Sequence, residues 1–129
     1  MKEDISNRND IERLVMVFYD NVKKNESIGF FFWQVVKVDW DKHIPIMVDF
    51  WENVLFHTGS YSGNPMEVHR KVNIKHNMTQ EHFNAWLHIF INTVNELYAG
   101  EQAQNIIQRA SNIATIMQSK IVNPNPEIL

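Results

Sequence analysis

The sequence predicts an all-α domain, and three observations carry that prediction. Only four of its 129 residues are Gly and four are Pro, so long elements meet few interruptions. Apolar residues recur at i, i+3, i+4 and i+7 through several separate stretches, which is the spacing of one helix face. Residues that start or stop helices stand at the ends of those stretches.

The first helix is expected from Asn9-Asp10, a good N-cap pair, to about Lys24. Ile11, Leu14, Val15, Phe18 and Val22 lie on one face of it. Asn25-Glu26-Ser27 breaks the pattern. Ile28-Gly29-Phe30-Phe31-Phe32-Trp33 is a dense aromatic cluster with no regular period, and Gln34–Val38 reads as a turn. A second long helix carries Trp40, Ile44, Met47, Phe50 or Trp51, and Val54 or Leu55. Pro45 inside a helix costs about 3 kcal/mol, so the start is placed at Asp41 or later. His57–Pro65 holds two of the four Gly and one Pro, and is a loop. Met66–Val72 reads as a short helix, with Pro65 near its first position. Asn73–Met78 is polar without a period. Thr79 is the expected N-cap of a third long helix, whose stripe is Phe83, Trp86, Leu87, Phe90, Val94 and Leu97, ending at Gly100. The last helix runs from about Glu101 to Ile121 through Ala103, Ile106, Ile107, Ala110, Ile113 or Ala114, and Met117, with Pro124 as a stop. The chain is expected to form one domain over residues 1–129, with its core at about 10–122 and a frayed tail at 123–129.

Composition narrows the function. There is no cysteine, which excludes a disulfide scaffold, a thiolate nucleophile and every cysteine-ligated or thioether-linked cofactor. Twelve basic residues against fifteen acidic ones give a net charge of −3. No basic stripe stands out, so no nucleic-acid role is expected. The most apolar run, Ile28–Trp33, is far too short to span a membrane, and the charged Met1-Lys2-Glu3-Asp4 start lacks a signal-peptide pattern. A soluble cytoplasmic protein is the expectation. The unusual feature is fifteen aromatic residues and six histidines in so short a chain. Either the core is very aromatic, or the chain wraps something flat.

The usual nucleotide-binding, metalloprotease and serine-hydrolase motifs are missing. The histidines and aromatics remain. On position alone His43 reads as a half-buried histidine bonded to a carbonyl, Tyr19 as a rim tyrosine needing a partner for its hydroxyl, and Trp86 as core. His69 differs, because it follows the Gly-rich loop on a short helix that has little apolar face of its own. His76 and His82 are rivals in the same region, while His57, His76 and His88 otherwise read as solvent histidines. No two histidines have the i, i+4 spacing that a zinc pair on one helix needs.

Several segments recur in a recognisable order: Phe18-Tyr19-Asp20-Asn21-Val22, Ile28-Gly29 to Phe31-Phe32, Trp40-Asp41-Lys42-His43 and Asp49-Phe50-Trp51-Glu52. Tyr61-Ser62-Gly63-Asn64-Pro65 follows with His69 after it, then Glu81-His82-Phe83-Asn84-Ala85-Trp86-Leu87. Together they make the chain resemble the truncated haemoglobins, and more narrowly their third group, over about residues 10–118. The resemblance implies a globin-like two-over-two helical sandwich around a non-covalent haem b (iron protoporphyrin IX). It makes His69 the proximal iron ligand. It places Tyr19, His43 and Trp86 on the distal side, Phe32 stacked on the porphyrin and Met47 facing the bound gas. Phe31, Tyr61, Met66 and Phe90 complete the expected haem contacts. The segment between His69 and Trp86 is a few residues longer than the family pattern. That leaves His76 as a rival for the iron, although His69 keeps the right relation to the Tyr61–Pro65 loop. Arg70, Lys71 or Lys75 is either a propionate partner or plain surface charge.

The function implied is binding of dioxygen and related diatomics at a six-coordinate iron with a polar distal pocket. Donors from Tyr19, His43 and Trp86 favour tight holding over delivery. Nitric oxide dioxygenation or peroxidase-like chemistry on the same haem, served by an unidentified reductase, is the second reading. A haem-free helical interaction or sensor domain, with the aromatics as core, is the third.

Overall fold

The computed structural model describes residues 2–59, 61 and 63–122. The expected tail, 123–129, lies outside the described residues. Among the described residues there are six α-helices and one π-helical turn: α1 Arg8–Lys24, α2 Glu26–Phe30, the π turn Phe31–Val35, α3 Trp40–Phe56, α4 Pro65–Lys75, α5 Gln80–Leu97 and α6 Glu101–Ile121. Helix α1 packs on α3, and α5 packs on α6. The two pairs meet where α1 touches α5 and α3 touches α6. This is a two-over-two helical sandwich. Among the described residues no helix is long and apolar enough to cross a membrane.

Local chemistry sets each boundary. Helix α1 begins at Arg8 rather than at Asn9-Asp10. Extended Asn7 is the cap, and its side chain accepts the Asp10 N–H at 3.0 Å. The Asp10 carboxylate is turned back to accept the Ser6 N–H at 2.8 Å, so it serves the turn before the helix and is not the cap itself. Asn25, which ends α1, starts α2 by accepting the Ser27 and Ile28 N–H groups. The irregular aromatic run is then explained. The Val36 N–H donates to the Phe31 carbonyl, five residues back, at 2.8 Å, so the turn is wider than an α-helical one. Neither a period of 3.6 nor of 2 describes it.

Helix α3 starts at Trp40, one residue earlier than Pro45 suggested, capped by Asp39. Pro45 therefore sits in the second turn and leaves the Asp41 carbonyl without its helical partner. Asp41 is exposed, so water can take that place. Helix α4 runs to Lys75, longer than expected, because the Asn73 side chain accepts the Met78 N–H (2.7 Å) and folds the polar segment back onto the helix end. Thr79 caps α5 as expected, and that helix ends at Leu97 rather than reaching Gly100.

The dry core joins both helix pairs through Phe18, Val22, Trp51, Phe90, Val94 and Ile106, all 2% exposed or less. Thr93 is fully buried with them and is satisfied. Its hydroxyl donates to the Ile89 carbonyl at 2.7 Å and accepts from Asn21 at 3.1 Å. A smaller cluster of Phe83, Met117 and Ile121 closes one end, with Met66 and Met78 against it.

Packing begins earlier in the chain than the periodic pattern does, because Ile5 is 1% exposed. Its neighbour Asp4 explains how the segment is held. Gly100 occupies the N-cap position of α6 and has no side chain to cap with. The Asp4 carboxylate supplies the cap instead, accepting the Gln102 and Ala103 N–H groups at 2.9 Å each. A Cβ on Gly100 would lie 2.5 Å from Asp4, and the φ of +140° there is strained for any other residue. Burial raises the Asp4 pKa, but three backbone N–H donors together hold it below the ordinary value. A lowered folded pKa means stability that is present above the unfolded carboxylate range and lost as pH falls through the folded value. Asp4→Ala is expected to cost about 1 kcal/mol at neutral pH, the scale of a lost N-cap. In thermal unfolding, the gap between variant and parent should close as the pH drops below about 4.

Candidate haem cavity

Helix α3 is apolar on two faces, and that fact creates the site. Val48, Trp51 and Leu55 turn into the dry core. His43, Ile46, Met47 and Phe50 turn instead into a cavity of about 380 Å³. Its other walls are Tyr19 from α1, Ile28, Phe31 and Phe32 from the aromatic run, Pro65, Val68, His69 and Val72 from α4, and His82, Phe83 and Trp86 from α5. Ile113, Ala114 and Met117 of α6 line it as well. The volume falls in the range of cofactor pockets, roughly 300–1,000 Å³, and the wall is mostly apolar with a few placed polar groups.

On one side Tyr19 is buried at 5% exposure. Its ring meets Phe18, Phe32 and Trp40 edge-on at 5.0, 5.7 and 5.3 Å. Its hydroxyl lies 3.0 Å from His43 Nε2, and the His43 tautomer decides which of the two donates. Burial pushes the Tyr19 pKa far up, so the hydroxyl keeps its proton. Burial also lowers the His43 pKa, with a smaller effect from the charge of His69. The Trp86 indole belongs to the same cavity wall.

His69 comes from α4. Asn64 caps that helix and Pro65 fills its first position, so the Pro65 carbonyl faces His69 one turn later. His69 Nδ1–H donates to that carbonyl at 2.6 Å. Burial lowers the His69 pKa, opposed by the Pro65 contact. Burial thus favours the neutral ring, in which the proton is held on Nδ1 and the lone pair is on Nε2. That is the state in which an imidazole ligates a metal.

The structure brings Tyr19, Phe31, Phe32, His43, Met47, Tyr61, His69 and Trp86 to one cavity. It places two of the expected contact residues elsewhere. Phe90 is fully buried behind the wall, stacked on Trp51 at 4.6 Å and on Trp86 at 5.7 Å. Met66 packs on the Phe83–Met117–Ile121 cluster. His76 borders Phe30 and Phe31 edge-on at 5.0 and 5.4 Å, and its Nδ1–H donates to the Asn77 carbonyl. Among the described residues it does not line the cavity, and exposed His57 and His88 do not either. Sequence reasoning left out Ile46, Val68 and Val72. Each belongs to a helix face that reads as solvent-side unless a second apolar surface is expected opposite it.

Fold and cavity together define a two-over-two globin. The comparisons with known proteins carry this further. No family model matches the chain. The group 3 truncated haemoglobin of Campylobacter jejuni is 30% identical over 124 residues, covering 94% of this chain and 95% of that protein. The crystal structure of the group III truncated haemoglobin from Campylobacter jejuni matches with a TM-score of 0.84, over 97% of this chain and 98% of the other. The 2/2 haemoglobin of Synechococcus, solved in the cyanomet state with covalently attached haem, shares the fold with a TM-score of 0.69 at 21% identity, over 92% of this chain and 94% of that one. The chain belongs to the group 3 truncated haemoglobins.

Phe90 supports the wall without forming it, so its removal should act on stability first. Phe90→Ala is expected to lower the unfolding free energy by about 3–5 kcal/mol in a denaturant titration. It should also alter the near-ultraviolet dichroism of the Trp51–Trp86 pair, which loses its common neighbour.

Proposed function

We propose that the cavity holds a non-covalent haem b on His69 and that the protein binds dioxygen or a related diatomic ligand on the Tyr19–His43–Trp86 side. The observation that carries this is the state of His69. It stands in the cavity wall with Nδ1–H committed to the Pro65 carbonyl at 2.6 Å, which leaves Nε2 as a ligand. When bound, the group would supply an iron that could take the His69 imidazole and a diatomic ligand. The chain's own residues do the rest. Ile28, Phe31, Phe32 and Met47 offer flat or flexible apolar contact and keep the cavity wall water-poor. With the His43 proton on Nε2, that N–H is taken by the Tyr19 oxygen and the Tyr19 O–H is left to donate to a ligand that gathers negative charge. In a mostly apolar cavity such a bond counts for more than it does in water. The sequence has no cysteine for a thioether link, which supports non-covalent attachment. Donors of this kind slow ligand release, so the arrangement suits retention or scavenging better than delivery.

His69→Gly is expected to lose the ferrous spectrum of an imidazole-ligated haem and to regain it when imidazole is added. An unchanged spectrum in that variant would sink the proximal assignment. Tyr19→Phe should speed dioxygen release in stopped flow by about tenfold or more, the scale of one hydrogen bond to a charged partner. An unchanged off-rate would remove Tyr19 from the donor set. Acid–butanone should extract the pigment as free haem, and a pigment left on the protein would rule out the non-covalent reading.

A further inference from the structure

Two polar side chains of the cavity wall, Tyr61 and His82, have no part in the reading above. Of the two, His82 has its donor fixed by the backbone. It is the third residue of α5, and its Nδ1 accepts the Thr79 N–H at 3.0 Å while the Thr79 side chain accepts the His82 N–H. This is a capping box with imidazole in the place usually held by Glu or Gln. In the neutral ring the proton must then sit on Nε2, the nitrogen on the other side of the ring. The ring lies edge-on to Phe31 at 4.9 Å, and His76 lies 6.5 Å away against the same aromatic pair. The strong cations nearby in sequence are placed differently. Arg70, Lys71 and Lys75 are all exposed, and none of them lines the cavity.

We propose that His82 Nε2–H donates to a carboxylate of the bound cofactor, fixing a haem propionate at the Phe30–Phe31 edge of the cavity beside His76. The assignment rests on the haem reading given above. Its chemistry is a hydrogen bond from a ring N–H to an anion at the border of an apolar site, which is stronger than a neutral pair. It gives the imidazole of the capping box a second use that Glu, lacking a donor, could not serve.

The test compares haem with its dimethyl ester, which lacks the negative charges. The full chain is reconstituted with each, and transfer to excess apomyoglobin is followed optically. The parent protein is expected to lose the diester about tenfold faster than haem, the scale of one charge-assisted hydrogen bond. His82→Leu should lose both at the same rate. His82→Glu keeps an acceptor for the Thr79 N–H, so α5 stays capped, but sets carboxylate against carboxylate. It should lose haem faster than the diester. Parent-like discrimination in His82→Leu, or none in the parent, would overturn the assignment and leave the haem reading standing. Failure of the parent chain to take up either porphyrin would overturn the haem reading, and this assignment with it.

Discussion

The stack of Trp51, Phe90 and Trp86 is the contact on which the rest of the structure depends. The three rings lie within 27° of parallel, with centroids 4.6 to 6.3 Å apart. Trp51 comes from α3, and the other two come from α5. Phe18 of α1 meets Phe90 edge-on at 5.3 Å and Trp86 at 6.0 Å. Three helices are thus locked by one aromatic group. Phe90 has only core around it, while Trp51 and Trp86 also form cavity wall. A close-packed interior would normally fill every gap. Here rigid rings on one side hold a void open on the other.

The polar groups of the site are likewise set by local structure. His69 is oriented by the Pro65 carbonyl one turn back, and Pro65 sits there because the first position of a helix tolerates proline. Tyr19 and His43 lie on helices that cross, and their 3.0 Å contact joins α1 to α3 at the cavity. Each side chain is held by a contact that would exist without any ligand. This kind of pre-organisation reduces what binding must spend on ordering.

Much of this was legible in the sequence, for definite reasons. The stripes of α1, α5 and α6 follow a clean 3.6-residue period because each buries one face. Thr79 was readable as a cap because its partners are three residues away. The π turn at Phe31–Val35 was not, because its period belongs to neither regular pattern. The double face of α3 was half visible: Met47 stood in the apolar stripe, yet Val48 is the residue that enters the dry core. Phe90 and Trp86 shared a stripe and looked equivalent, although only one reaches the cavity. The capping role of His82 was hidden, since imidazole is an unusual third residue in a capping box. Asp4 was invisible as a cap, because its helix starts nearly a hundred residues later.

That last contact bears on how the molecule reaches its final form. The bonds from Asp4 to Gln102 and Ala103 span 98 and 99 residues, almost the whole described chain. The Ala99 N–H to Glu3 carbonyl bond, at 3.0 Å, spans about as much. Contacts so distant in sequence carry the full entropy of loop closure and are made after local ones. The first turn of α6 therefore lacks its cap until the residues before α1 have docked on it. Residues 3 and 4 act as a clasp on the start of α6. During synthesis that clasp stays open until the α6 turn has emerged.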